Sequence, residues 1–153
     1  MERKIVAANH AHIAAVAMNM RAPDVAEIWA VARMDPWEAL NYSMLASREP
    51  MTGVADRRPV CMFGVSQTTP FSNTGHPWLL STDAIEDHAL VLLRGSRRYL
   101  EAVREQYERL ENYVDARNVK ALQWVRWLRF EIDPPAPFGV DRLPFHRFHS
   151  GYA

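Results

Sequence analysis

Cysteine, net charge and long apolar runs are all scarce in this chain, and each scarcity removes a class of protein. A single cysteine, Cys61, leaves no intrachain disulfide and no cysteine-rich zinc site. Its neighbours Val60, Met62 and Phe63 are apolar, which predicts a buried, inert thiol. Lys plus Arg is 18 and Asp plus Glu is 18, so the formal net charge is zero. The strongly basic balance of a dedicated nucleic-acid binder is missing. Low self-repulsion permits packing into an assembly. No apolar run approaches the ~18 residues that a membrane span requires. Basic residues and then small apolar ones open the chain, but His10, His12 and Asn19 interrupt the stretch, so it does not read as a signal peptide. A reducing cytoplasm is the expected setting for work or assembly.

What is present is an ordinary globular composition, 48% hydrophobic and 24% charged over 153 residues. That length suits one domain spanning 1–153, able to bury about two thirds of its unfolded surface. Ile5 to Ala8 reads as a strand and His10 to Met18 as helix-prone. Pro23 and Asp24 open a second helical segment, with Val25, Ile28, Trp29 and Ala32 on one face. Asp35, Pro36 and Glu38 make a strong helix start, with cap, first-turn proline and capping-box acid in order. Met51 to Ala55 and Val60 to Gln67 read as a hairpin around Asp56–Pro59. Trp78 to Leu80 reads as a short buried strand after a loop from Thr68 to Gly75. A long amphipathic region follows, with Gly95 and Ser96 as a candidate break. Leu143 to His149 alternates like a last strand.

The segment Glu111 to Ile132 is the most telling. Tyr113 and Val114 suit a strand, and Asn118 suits a helix N-cap. Ala121, Leu122, Val125 and Leu128 form one apolar helical face, and Phe130 and Ile132 alternate as in a new strand. This Asn-x-x-Ala…Leu-x-Phe pattern resembles the C-terminal half of the GNAT (Gcn5-related N-acetyltransferase) fold. The order of elements along the whole chain agrees, so the expected architecture is a mixed α/β (α+β) domain, a central mixed sheet flanked by helices. The resemblance implies that the strand at Trp78–Leu80 runs parallel to the one at Tyr113–Val114 and splays from it.

Two family features are absent. Counting from Asn118, the family places a Tyr and later a Gly where this chain has Val125 and Arg129. The Tyr phenol can protonate a departing thiolate, and Val has no proton to give. The glycine-rich turn that holds the coenzyme A pyrophosphate on main-chain N–H groups corresponds here to Ser81–His88. That turn contains no glycine and carries Asp83, Glu86 and Asp87.

Trp78 and Asp83, then Asn112, Tyr113, Val114 and Asn118, are also similar to a GNAT-like family of tailed bacteriophages that includes internal virion proteins. That likeness implies a structural or assembly component of a virion, in the particle and in the host cytoplasm during assembly. Other virion proteins or copies of the chain would be its partners, and it would hold no cofactor. The alternative is an active N-acetyltransferase using acetyl-CoA. Ser81, Thr82, Asp83, Ala84 and Asn118 would then contact the cofactor, and His76, Asp83, His88 and Asn118 would be the catalytic candidates. Trp124, Arg126, Trp127 and Arg129 form an aromatic-basic set of the type that protein interfaces use, with Trp127 and Arg126 pointing away from the buried stripe. No metal site is expected. His146 and His149 fall on opposite faces of a strand, and His10 and His12 share a face only if their segment is extended.

Overall fold

The computed structural model describes residues 2–151. Along the chain come β1 (Arg3–Ala7), α1 (His10–Met18), α2 (Ala22–Ala32), α3 (Pro36–Leu45), β2 (Met51–Ala55), β3 (Arg58–Ser66) and β4 (Thr74–Ser81). A 3₁₀ turn (Asp83–Asp87) leads into α4 (Ala89–Arg104), followed by β5 (Arg109–Asp115), α5 (Val119–Trp127), β6 (Glu131–Ile132), β7 (Ala136–Phe138) and β8 (Leu143–Gly151). The strands form one sheet in the order β1-β2-β3-β4-β5-β8-β6, with β7 also paired to β8. Every pairing among the described residues is antiparallel except β4 with β5.

Local chemistry accounts for most boundaries. Asp35 accepts the Glu38 N–H at 2.9 Å and Glu38 accepts the Asp35 N–H at 3.2 Å, the reciprocal pair expected of a capping box. Asp56 and Arg57 both take positive φ, 48° and 70°. They close the hairpin in two residues, so β3 begins at Arg58 rather than after a longer turn. The expected break at Gly95 and Ser96 does not occur, and α4 is continuous. A Cβ on Gly95 would sit 2.1 Å from Ile5 Cδ1, so the glycine serves the close approach of β1 to α4. β7 went unread because Pro137 sits within it and Pro134 and Pro135 precede it; proline is tolerated there because the strand pairs with β8 alone.

The sheet is covered on both faces, as the two-residue period of a strand demands. Met62 and Leu80 pack with Ile13, Val16, Leu40 and Met44 of α1 and α3. Cys61 and Phe63 turn to the other side, toward Ile85 and Leu92, while Val65 packs with Leu100 and Val103 of α4. Cys61 is fully buried and its thiol is pushed up to about 12 by that burial, which agrees with the inert reading.

Candidate active site

β4 and β5 pair at Thr74 with Arg109 and at Gly75 with Leu110, and then diverge. This is the parallel, splayed pair that the resemblance implies. Beyond Gly75 the main-chain groups on that side of β4 have no strand to bond. The Thr82 N–H donates to the Val60 carbonyl at 2.8 Å, which sets the alternation: even-numbered residues of β4 bond to β3, and 77, 79 and 81 face the gap. Pro77 has no N–H, and its carbonyl accepts from Asn112 Nδ2 at 2.8 Å. The Ser81 N–H donates to Asp24 Oδ2 at 3.1 Å, and the Ser81 carbonyl accepts the Arg21 N–H at 2.9 Å. Between them the Leu79 N–H faces the gap.

Helix α2 stands across the open end. Asp24 holds the last residue of β4 through Ser81, and Glu27 Oε1 accepts the N–H of Asp115, the last residue of β5, at 2.8 Å. The Asp24 carboxylate is buried and also receives Arg21 Nη1 at 2.8 Å and Asn118 Nδ2 at 3.0 Å. Arg21 lies over the Trp124 ring, 4.9 Å from its centroid. Asp115 spends its own carboxylate on the Arg117 side chain and N–H. Burial raises Asp24 above the usual carboxylate range, against the pull of Arg21 and the bonds from Asn118 and Ser81. Glu27 is pushed up to about 8, first by burial; the Asp115 N–H opposes the shift, and the charges of Asp24 and Asp115 add to it.

Between the splayed strands lies a cavity of about 460 Å³. Ile28, Met34, Tyr42, His76, Trp78 and Tyr113 line it together with Glu27, and Leu93, Ser96, Leu100, Ala121, Trp124 and Val125 line it from α4 and α5. Because α2 and α3 lie on one face of the sheet and α4 on the other, the cavity joins the two faces through the gap. Its walls are mainly apolar, with few polar groups converging inside, the usual make-up of a small-molecule site.

The structure sorts the expected residues. His76 lines the cavity, and its Nδ1 lies 2.9 Å from the Glu111 carbonyl; a carbonyl can only accept, so Nδ1 carries the proton. Asp83 is exposed on the 3₁₀ turn, and His88 sits outside the cavity wall with its Nδ1 accepting from Arg3 Nε at 3.0 Å. Asn118 is buried, bonded to Asp24 and Arg21, and accepts the Ala121 N–H at 3.4 Å as a helix cap. Of the cofactor set, Ser81 and Thr82 have committed their N–H groups to Asp24 and Val60, and Ala84 is exposed beside Asp83.

In the aromatic-basic set, Arg126 and Arg129 are exposed and Trp124 and Trp127 are half-buried. Trp124 lines the cavity. Trp127 is half-buried beneath Arg97, whose guanidinium lies 3.8 Å from the ring centroid and donates to the Trp127 carbonyl at 2.7 Å. Arg129 takes φ of 70°, the left-handed region for which a glycine is suited. His10 and His12 lie on a helix, where His12 serves the capping box with Asn9.

Sequence reasoning missed Asp24 and Glu27 as site residues. The signal was available: 24, 27, 28 and 31 share one helical stripe, so two acids stood in line with Ile28 and Val31.

The sequence matches no family model and no curated protein. Solved structures do match it in shape. Ard1 from Thermoplasma volcanium is 15% identical with a TM-score of 0.72, covering 98% of this chain and 97% of that one. The yncA protein of Salmonella typhimurium, solved with its cofactor acetyl-CoA, is 14% identical with a TM-score of 0.72, covering 99% and 94%. Spermidine N-acetyltransferase from Vibrio cholerae, in complex with CoA and spermine, is 11% identical with a TM-score of 0.68, covering 97% and 94%. The expectation of a fold without a cofactor is corrected by the last two, which carry acetyl-CoA and CoA. At these identities the likeness is one of fold: the chain has the mixed-sheet fold of the N-acetyltransferases.

Proposed function

We propose that this protein is an N-acyltransferase that takes an acyl group from acyl-CoA and delivers it to an amine. One observation carries the reading: a cavity crosses the sheet where its parallel strands splay, with the Leu79 N–H facing into the gap. Acyl-CoA would supply a thioester carbonyl open to attack by an amine, and the acetyl-CoA and CoA held by two neighbours of the same fold support that donor. Leu93, Leu100, Ala121, Trp124 and Val125 offer the apolar wall for a pantetheine arm and exclude water. The Leu79 N–H is a fixed donor for an oxygen that gains negative charge, and removing one donor of this kind typically costs 10²–10³-fold in rate, an order-of-magnitude figure. The acceptor amine enters from the side of Met34, Tyr42 and Tyr113. Calorimetry with acetyl-CoA and a thiol-release assay over a panel of amines test the proposal. No heat at millimolar acetyl-CoA, together with no thiol release, would refute it.

A second reading keeps the setting that the motif likeness implies, a phage particle component with partners among virion proteins or copies of itself. The exposed Arg126 and Arg129 beside the half-buried Trp127 favour it. Mass spectrometry of purified virions tests it: a protein recovered in stoichiometric amount belongs to the particle, and one confined to the lysate does not.

A further inference from the structure

We infer that Glu27 is the general base of this site, taking the proton from the acceptor amine. The inference rests on the acyltransferase reading and adds the group that would move the proton. Three observations carry it. Glu27 lines the cavity beside the gap between β4 and β5. One carboxylate oxygen is held by the Asp115 N–H at 2.8 Å, which orients the group. Among the described residues no cation forms an ion pair with it, in contrast to Asp24 with Arg21 and Asp115 with Arg117. A carboxylate in a mainly apolar wall, held by the Asp115 N–H with the Asn118 amide beside it and paired to no cation among the described residues, is arranged to accept a proton.

The charged groups that face Glu27 all belong to the bracket across the gap. Asp24 comes from its own helix and Asp115 from the end of β5, and both raise its proton affinity, while Arg117 lies farther out on the Asp115 carboxylate. With burial they bring Glu27 to about 8, against the bonds from the Asp115 N–H and Asn118, so the base exchanges its proton in the mildly alkaline range. The balance of the step is simple. The ammonium gives one proton to Glu27, the freed lone pair forms the C–N bond, and the C–S bond breaks. The second N–H proton goes to the departing sulfur, and Glu27 returns its proton to water. His76 is the competing base, because its Nε2 is left as the acceptor nitrogen.

Glu27→Gln keeps the acceptor for the Asp115 N–H and removes the base, with His76→Gln as the parallel variant. For Glu27→Gln we expect kcat to fall by roughly 10²–10⁴-fold with acyl-CoA affinity by calorimetry unchanged, and the acid limb of the rate profile to vanish. The second readout needs no turnover: carbon NMR of labelled glutamate, with Glu27 assigned by the variant, should titrate with a midpoint near 8. A midpoint in the ordinary glutamate range, or an unchanged acid limb in Glu27→Gln with the loss falling on His76→Gln, overturns the assignment. A wild-type protein that binds no acyl-CoA and releases no thiol overturns the acyltransferase reading instead, so the two failures are distinguishable.

Discussion

Asp24 and Glu27 stand one turn apart on α2 and hold the main-chain N–H groups of Ser81 and Asp115, the last residues of the two strands that splay. A strand end without a neighbour leaves a donor that must find a partner or lose free energy on burial. Here two carboxylates supply those partners, so one helix spaces both strand ends and lines the cavity between them.

Removing the Asp24 carboxylate should be costly. Asp24→Ala strands the buried Arg21 cation and frees the Ser81 N–H, and losing one partner of a buried pair typically costs about 3–5 kcal/mol. Asn118→Ala loses the Asp24 bond and the α5 cap, for about 1–2 kcal/mol. Urea unfolding measures both. Equal, small losses would mean that the bracket is not a stability element.

Stability should fall as pH rises from the ordinary glutamate range to about 8. Glu27 binds its proton more tightly folded than unfolded, so its contribution is fully present at low pH and is lost as pH climbs through the folded value. The loss is on the order of a few kcal/mol for a shift of this size. Thermal melts across that window should slope downward for wild type and flatten for Glu27→Gln. A flat wild-type profile would show that Glu27 ionises normally.

The exposed carboxylates of Asp83, Glu86 and Asp87 occupy the turn that follows β4. They would oppose an anionic diphosphate bound at that end of the gap, an effect that salt screens within about 8 Å at physiological ionic strength. Acetyl-CoA should therefore bind more tightly as salt is raised, and Asp83→Asn with Glu86→Gln and Asp87→Asn should tighten it at low salt. Acetyl-pantetheine, which lacks the diphosphate, serves as the control and should respond to neither. Weaker acetyl-CoA binding in the triple variant would place the diphosphate elsewhere.

Trp127→Ala should destabilise the fold by about 2 kcal/mol, because the ring is half-buried and carries the Arg97 guanidinium. Arg97→Gln should cost about 1 kcal/mol by the same contact. Chemical denaturation of both variants checks this. A Trp127 variant of unchanged stability that loses self-association or a virion partner would instead support the interface role.

The periodic and capped elements were legible because their information is local. The Asp35–Glu38 box, the Asn118 cap and the stripe from Ala121 to Leu128 each fix a short piece of backbone through neighbours a few residues away. Those pieces, in order, implied the mixed sheet, and the family resemblance they carried implied its splayed parallel pair. Gly95 was misread for the same reason: a glycine inside a helix suggests a break until Ile5, ninety positions earlier, is seen to press against it.

The site was not local. By itself the sequence determined a mixed α/β chain, an inert Cys61, a glycine-free acidic turn and the absence of a phenol at Val125. Tertiary structure alone decided that Asp24 meets Ser81 and Asn118, that Glu27 meets Asp115, and that Trp124 lines a cavity. The physical reason is that a carboxylate's proton affinity and partners depend on which distant strand ends the fold leaves unpaired beside it.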